Sequence, residues 1–160
     1  MNIMKKIGIA DTTFSRVDMA SFALDTIKKQ DARIEIVRYT VPGIKDLPVA
    51  CTLLFKQYKC DLVMSLGMVG KEAVDKTCGH EASLGHQCVQ IIHAKHIMEV
   101  FVHMDEAHDD KDLFELTKDR VTKHAINALE LLKGPHALSP RAGTGRRQGR
   151  TDVGRILLKE

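Results

Sequence analysis

A chain of 160 residues, 44% hydrophobic and 28% charged, is sized and composed for one domain with an ordinary core. Neither an unbroken apolar span nor a charged-then-apolar leader stands in it, which sets aside a membrane helix and predicts a cytoplasmic protein. The net charge of +3 is local: Arg141, Arg146, Arg147, Arg150, Arg155 and Lys159 against Asp152 and Glu160 give residues 134–160 a charge of +4, leaving residues 1–133 at −1.

Lys5–Ala10 reads as a buried strand, and Asp18 as the cap of a helix whose Ala20, Ala23, Leu24 and Ile27 share one face. Arg33–Tyr39 alternates as an edge strand does, until Pro42-Gly43 breaks it. Asp46 and Pro48 then open a helix patterned by Leu47, Ala50 and Leu54. Asp61–Leu66 is the third strand, ended by Gly67, and a charged loop carries the chain to Gly79. A helix follows from His80 to about Lys95, with Leu84, Cys88, Ile91 and Ile92 facing inward. Met98–His103 is the fourth strand. The acidic run Met104–Asp110 leads into a long helix, patterned by Phe114, Val121, Ala125, Leu129 and Leu132 and ended by Gly134-Pro135.

This order predicts an α/β domain over residues 1–133: four parallel strands, right-handed crossovers and helices on both faces. Residues 134–160, rich in Gly and Arg, read as a basic tail that is mobile or ordered only against a partner. Ligands bind such sheets beyond the carboxyl ends of the strands. Four segments occupy that edge: Thr12–Phe14, Pro42–Asp46, Gly67–Lys71 and His103–Asp105. Their convergence predicts a small-molecule site.

Within it, His80 beside Glu81 at a helix start suits general acid–base work near neutral pH, although a capping or surface histidine has the same signature. Lys71 could neutralise an anionic intermediate, or simply be solvated. No metal set closes. His80-Glu81-Ala82-Ser83-Leu84 lacks the second histidine of HExxH, and His93/His96 and His86/Cys88 are too few. Asp105, Glu106, Asp109 and Asp110 could hold Mg²⁺ weakly, but acidic residues at a helix start explain them equally well. Gly67–Lys71 is not a P-loop. Cys51, Cys60, Cys78 and Cys88 lack CxxC spacing and read as reduced thiols. The absence of Trp argues against a stacking platform for single-stranded nucleic acid, and a tail without aromatics lacks a reading motif.

The segments GIADTTFSRVDMA (8–20), TVPGIKDLPVAC (40–51), SLGMVGKEAVDKTCGHEASLG (65–85), EVFVHMDEAHDDK (99–111) and the tail's RAGTGRRQG resemble the archaeal-type riboflavin synthases, relatives of lumazine synthase. The resemblance implies a flavodoxin-like three-layer fold, a ring of five subunits with sites between neighbours, Mg²⁺ dependence and no organic cofactor. The implied reaction is dismutation of two 6,7-dimethyl-8-ribityllumazine molecules. By the same resemblance Thr12, Thr13, Pro42, Gly43 and Ile44 belong to the substrate site. Phe14 would stack on a heterocycle, Asp46 would bind ribityl hydroxyls, Gly67 and Met68 would offer backbone contacts and His80 would handle protons, with Glu81 and Lys71 beside it. Lumazine synthases share the VPG…LP turn, but between Lys71 and Gly79 the chain lacks their phosphate-binding GxT segment. That departure favours riboflavin synthase, with lumazine synthase, a non-catalytic flavin- or pterin-binding protein and an RNA-binding protein working through its basic tail as the competing readings.

Overall fold

The computed structural model describes residues 4–158. Strands β1 (Lys6–Thr12), β2 (Glu35–Val41), β3 (Leu62–Val69) and β4 (Ile97–His103) form one parallel sheet in the order β2-β1-β3-β4. Ala10 of β1 lies beside Tyr39 on one side and Ser65 on the other, and Gly67 of β3 lies beside Phe101 of β4. The strand order reverses between β1 and β3, where an open sheet leaves a crevice beyond its strand ends.

Helices α1 (Met19–Gln30) and α4 (Asp110–Leu132) cover one face; α2 (Leu47–Lys56) and α3 (Ala73–His93) cover the other. Ala20, Ala23 and Ile27 of α1 and Leu113, Val121 and Ala125 of α4 pack on Ile7, Ile9, Met64 and Leu66. Leu47, Ala50 and Leu54 of α2 and Ala82 and Val89 of α3 pack on Ala10, Val63 and Val69. All eight residues of β3 are buried, as a central parallel strand with helices on both sides requires. Truncating one buried leucine such as Leu54 costs about 2–5 kcal/mol, the lost transfer energy plus a cavity. The starts of α1 and α4 are capped by side chains: Asp18 accepts from the Ser21 N–H at 3.4 Å, and Asp109 from the Asp112 N–H at 2.7 Å.

Four sequence expectations are corrected. Gly67 does not end the third strand, which runs on to Val69. It sits where a Cβ would lie 2.8 Å from Ile44 Cγ2 and 3.1 Å from Phe101, so a missing side chain, not a turn, is its purpose. The helix expected from His80 starts seven residues earlier, at Ala73. The charged run read as a loop forms its first two turns, with the Glu72 N–H donating to Asp75 Oδ2 at 3.1 Å. Gly79, read as the breaker, lies inside α3, where a Cβ would stand 3.2 Å from Val69; it permits close helix–sheet approach.

Close approach also explains the third correction. The buried face of α3 is Gly79, Ala82, His86 and Val89, mostly small residues, whereas Leu84, Cys88, Ile91 and Ile92 point outward. The tail is the fourth. Through residue 150 it packs on its own chain: Ser139–Arg141 forms a 3-10 turn, and Arg150 donates to Glu106 at 2.8 Å. Gly149, at φ +73°, lies on the Arg120 side chain, which any Cβ there would strike. Lys159 and Glu160 lie outside the described residues.

Candidate active site

Three strand exits and the first turns of α3 meet at the carboxyl edge of the sheet. After β1, Thr13 is held by its N–H on Val41 O at 2.9 Å and its hydroxyl on Pro42 O at 3.3 Å, which presents Phe14 beside the β2 exit. That exit, Pro42-Gly43, turns into a 3-10 turn over Ile44–Asp46, in which Asp46 Oδ2 accepts the Gly43 N–H at 3.3 Å. Ile44 presses onto Gly67, so the β3 end and this turn share one floor. Gly70 then closes on Asp75, whose carboxylate fills the space a Cβ would need.

The result is an open cavity of about 410 Å³ lined by Phe14, Pro42, Gly43, Ile44, Lys45, Asp46, Met68, Gly70, Asp75 and Cys78. Its volume is that of a pocket for one small organic ligand, roughly 300–1,000 Å³. Phe14 is 53% exposed, and such a ring offers a flat surface for stacking. Six residues proposed from sequence, Phe14, Pro42, Gly43, Ile44, Asp46 and Met68, line this one space. Thr12 and Thr13 line a neighbouring polar cleft of about 270 Å³ with Asp11, Arg38 and Thr40. There the buried Asp11 accepts from Arg38 at 2.6 Å and from the Thr40 hydroxyl at 2.6 Å.

The acid–base candidates lie outside the lining. His80 is exposed on the second turn of α3, Glu81 pairs with Lys45 at 2.7 Å, and Lys71 is exposed just before the helix. Lys45, Asp75 and Cys78, which do line the cavity, were not singled out from sequence. Asp75 and Cys78 were hidden by the reading of residues 71–79 as a loop; one turn of helix brings them to the same side.

A buried polar chain also escaped the sequence. Ser65 Oγ lies 3.0 Å from His86 Nε2, and His86 Nδ1 lies 2.6 Å from Glu99 Oε2, whose other oxygen accepts from Ser83 Oγ at 2.7 Å. Ser65 is 0% and His86 1% exposed, so the serine and the imidazole are closed off from any ligand, while Glu99 at the end of the series keeps 30% of its side chain exposed; the series ties α3 to β3 and β4. Burial likewise pushes the neighbouring Cys51 thiol up to about 12, which makes it inert.

The acidic segment after β4 is neutralised residue by residue. Arg120 donates to both Glu106 oxygens at 2.8 and 2.7 Å, with Arg150 adding a further bond, and this holds the Glu106 carboxyl down to about 2. Asp105 pairs with Lys76, Asp110 with Arg16, and Asp109 caps α4. Among the described residues no group of three His, Cys, Asp or Glu side chains converges as a metal site would require. These donors, already spent on cations and a cap, do not fit the Mg²⁺ that the resemblance implies. Among the described residues no helix is long and apolar enough to cross a membrane.

A family model described as 6,7-dimethyl-8-ribityllumazine synthase matches residues 4–135. The chain belongs to that family. Proteins named riboflavin synthase are its relatives. That of Methanothermobacter marburgensis is 51% identical over 151 residues, covering 94% of this chain and 99% of that protein. Those of Archaeoglobus fulgidus and Aeropyrum pernix are 47% and 43% identical, each over 95% of this chain and over 99% and 98% of their own lengths. The family assignment agrees with the sheet order and with a cavity built from the exits of β1, β2 and β3.

Proposed function

We propose that this chain is a riboflavin synthase, passing a four-carbon unit from one 6,7-dimethyl-8-ribityllumazine to a second and releasing riboflavin and 5-amino-6-(D-ribitylamino)uracil. The relatives of that name match it over nearly their full length. The observation that decides between this reaction and lumazine synthesis is the start of α3. A helix N-terminus beside a cavity ordinarily attracts phosphate through its free N–H groups and dipole. Here Glu72 stands at the cap, and the Asp75 carboxylate, a cavity-lining group, takes the Glu72 N–H. The Asp75 carboxylate already takes an N–H of the kind that a phosphorylated four-carbon substrate of lumazine synthesis would use there. Two lumazines carry no phosphate and need no such N–H.

The chemistry asks for positioning more than for a reagent. The donor's 7-methyl group loses a proton to a base, and the electron pair left behind delocalises into the lumazine ring's own π system, which is the electron sink. Holding two rings face to face contributes up to ~7–11 kcal/mol through orientation. Phe14 stacks on a ring, Asp46 and the Pro42-Gly43 turn hold the ribityl chain, and Gly67 and Met68 supply the floor. His80, exposed on α3, is the proton-handling group, for which a single acid–base residue supplies ~10²–10⁴-fold. Glu81 is held beside it by Lys45, and Lys71 supplies positive charge at the rim.

The same reading has the protein acting in the cytoplasm as a homo-oligomer, a pentamer by family resemblance, with neither nucleic acid nor membrane as a partner. Its support for assembly is the outer face of α3, where Val74, Leu84, Ile91 and Ile92 are 66%, 52%, 80% and 74% exposed. Four exposed large apolar side chains on one helix suit a surface that another protein covers. Incubating the purified protein with dimethylribityllumazine alone tests the function: riboflavin absorbance must rise without a second substrate.

A further inference from the structure

The Phe14 ring stands on a loop whose two ends are joined by one arginine. Residues 12–17 lead from the end of β1 to the start of α1; Asp11 stands just before them and Asp18 just after. Arg38 of β2 reaches both. Its guanidinium donates to the Asp11 carboxylate at 2.6 and 3.4 Å and to Asp18 Oδ1 at 3.0 Å. Thr40, beside Asp11 in the sheet, adds its hydroxyl to the same carboxylate at 2.6 Å. The Asp11 side chain is only 6% exposed, so its charge depends on these partners and not on water. That dependence holds Arg38 in one pose. Nη2 carries two hydrogens in the fixed plane of the guanidinium, one for each carboxylate.

Within the loop the backbone on either side of Phe14 is held down. Thr13 is bonded to the β2 exit by its N–H and its hydroxyl. Ser15 donates its N–H to Thr12 Oγ1 at 3.3 Å, and the two hydroxyls lie 3.0 Å apart. The Arg16 N–H donates to Met68 Sδ at 3.4 Å, and Met68 belongs to the wall of the Phe14 cavity. The Arg16 guanidinium also meets Asp110, but both side chains are solvated and such a pair contributes little. Phe14 itself is left 53% exposed over the cavity. A ring so open takes its plane from the backbone beneath it, and that backbone takes its course from its two ends. An ordinary edge pair looks different: Lys6 and Glu35, 2.8 Å apart at the far end of β1 and β2, link two strands and close no loop.

We propose that Arg38 is a positioning residue for the reaction: by clasping Asp11 to Asp18 it fixes the base of this loop and, through it, the plane of the Phe14 ring on which a lumazine stacks. The proposal rests on the riboflavin synthase reading for the identity of that ligand. Arg38 lies outside the lining of the Phe14 cavity, so its effect passes through the ring.

The test pairs turnover of dimethylribityllumazine with amide hydrogen exchange, both on the whole protein. Arg38→Met opens the clasp. Asp18→Ser opens it too, while keeping the buried Asp11–Arg38 pair and a residue able to cap α1, so it decides the matter if Arg38→Met does not fold. Each variant should lose on the order of tenfold in kcat, with a smaller change in KM, because the surface that orients a reactant is displaced. In a Phe14→Ala background the same substitutions should change kcat by less than about twofold, since no ring remains to be placed. Lys6→Met, which removes the ion pair at the far end of the same strands, should leave kcat at the wild-type value. Exchange at the Thr13 and Arg16 amides should quicken on the order of tenfold in both clasp variants, with Ile7–Ala10 unchanged. Unaltered turnover in the clasp variants, or equal losses with and without Phe14, would overturn the proposal. Should wild-type protein form no riboflavin, the functional reading fails and exchange alone judges the clasp: faster exchange in the loop upholds it, and wild-type rates in both variants overturn it.

Discussion

The buried chain from Ser65 to Glu99 yields the sharpest energetic prediction. With Glu99 ionised, His86 Nδ1 carries its hydrogen toward that carboxylate, and Nε2 is left to accept from Ser65 Oγ. Ser65→Ala leaves Nε2 without a donor in a region closed to water, at a cost of about 1–3 kcal/mol. His86→Leu orphans the Ser65 hydroxyl by a similar amount, while Glu99 keeps its bond from Ser83. The double variant puts an apolar pair where a polar pair stood, and neither group is then left unmade. Its loss should fall short of the summed single losses by about 1–2 kcal/mol. Urea unfolding of the four proteins at neutral pH, with a common m-value, measures this directly. Losses that add to within about 0.5 kcal/mol would refute a coupled pair and mean that water or a rearranged neighbour satisfies each group separately.

Three further outcomes follow from named contacts. A Glu106 carboxyl held near 2 instead of 4.5 corresponds to at most about 3 kcal/mol of stability, fully present above pH 4.5 and lost as pH falls toward 2, so Glu106→Gln should flatten the stability profile across that window. Wild-type protein should show an earlier loss, between pH 6.5 and about 4, as the buried neutral His124 is forced to take a proton, and Glu106→Gln should leave that loss in place. For Asp46→Ala the expected change is a higher KM with kcat nearly kept; steady-state kinetics with unaltered KM would remove it from the ribityl contact. His80→Ala, at an exposed helical position, should unfold within about 0.5 kcal/mol of wild type yet lose about 100-fold in kcat, and unchanged turnover would take His80 out of the mechanism.

The sheet was legible because its signals are periodic and local. Buried runs such as Lys5–Ala10 and a cap such as Asp18 state their structure within a few residues, and four strands each followed by a helix leave few topologies. The carboxyl-edge site followed from that topology, which is why Phe14, Pro42, Ile44, Asp46 and Met68 were found together. What failed was the meaning of glycine. Gly67 and Gly79 look like breakers, yet each serves close packing, against Ile44 and Phe101 in one case and Val69 in the other. Only the three-dimensional neighbours distinguish those uses. Taking Gly79 as a break displaced the start of α3, and with it the inward face, so Leu84, Cys88, Ile91 and Ile92 were assigned to a core they do not enter. The Ser65–His86–Glu99 chain was invisible for another reason: its members sit on β3, α3 and β4, and no spacing links them. The packing of the tail escaped because its attachment depends on the pairing of Arg150 with Glu106, 44 residues away.

The most direct test of the account is the absorbance of purified protein incubated with 6,7-dimethyl-8-ribityllumazine as the sole substrate. The account predicts riboflavin and the ribitylaminopyrimidinedione in equal amounts, one of each for every two lumazines consumed. Formation of riboflavin only when another four-carbon donor is added, or none at all, would contradict it.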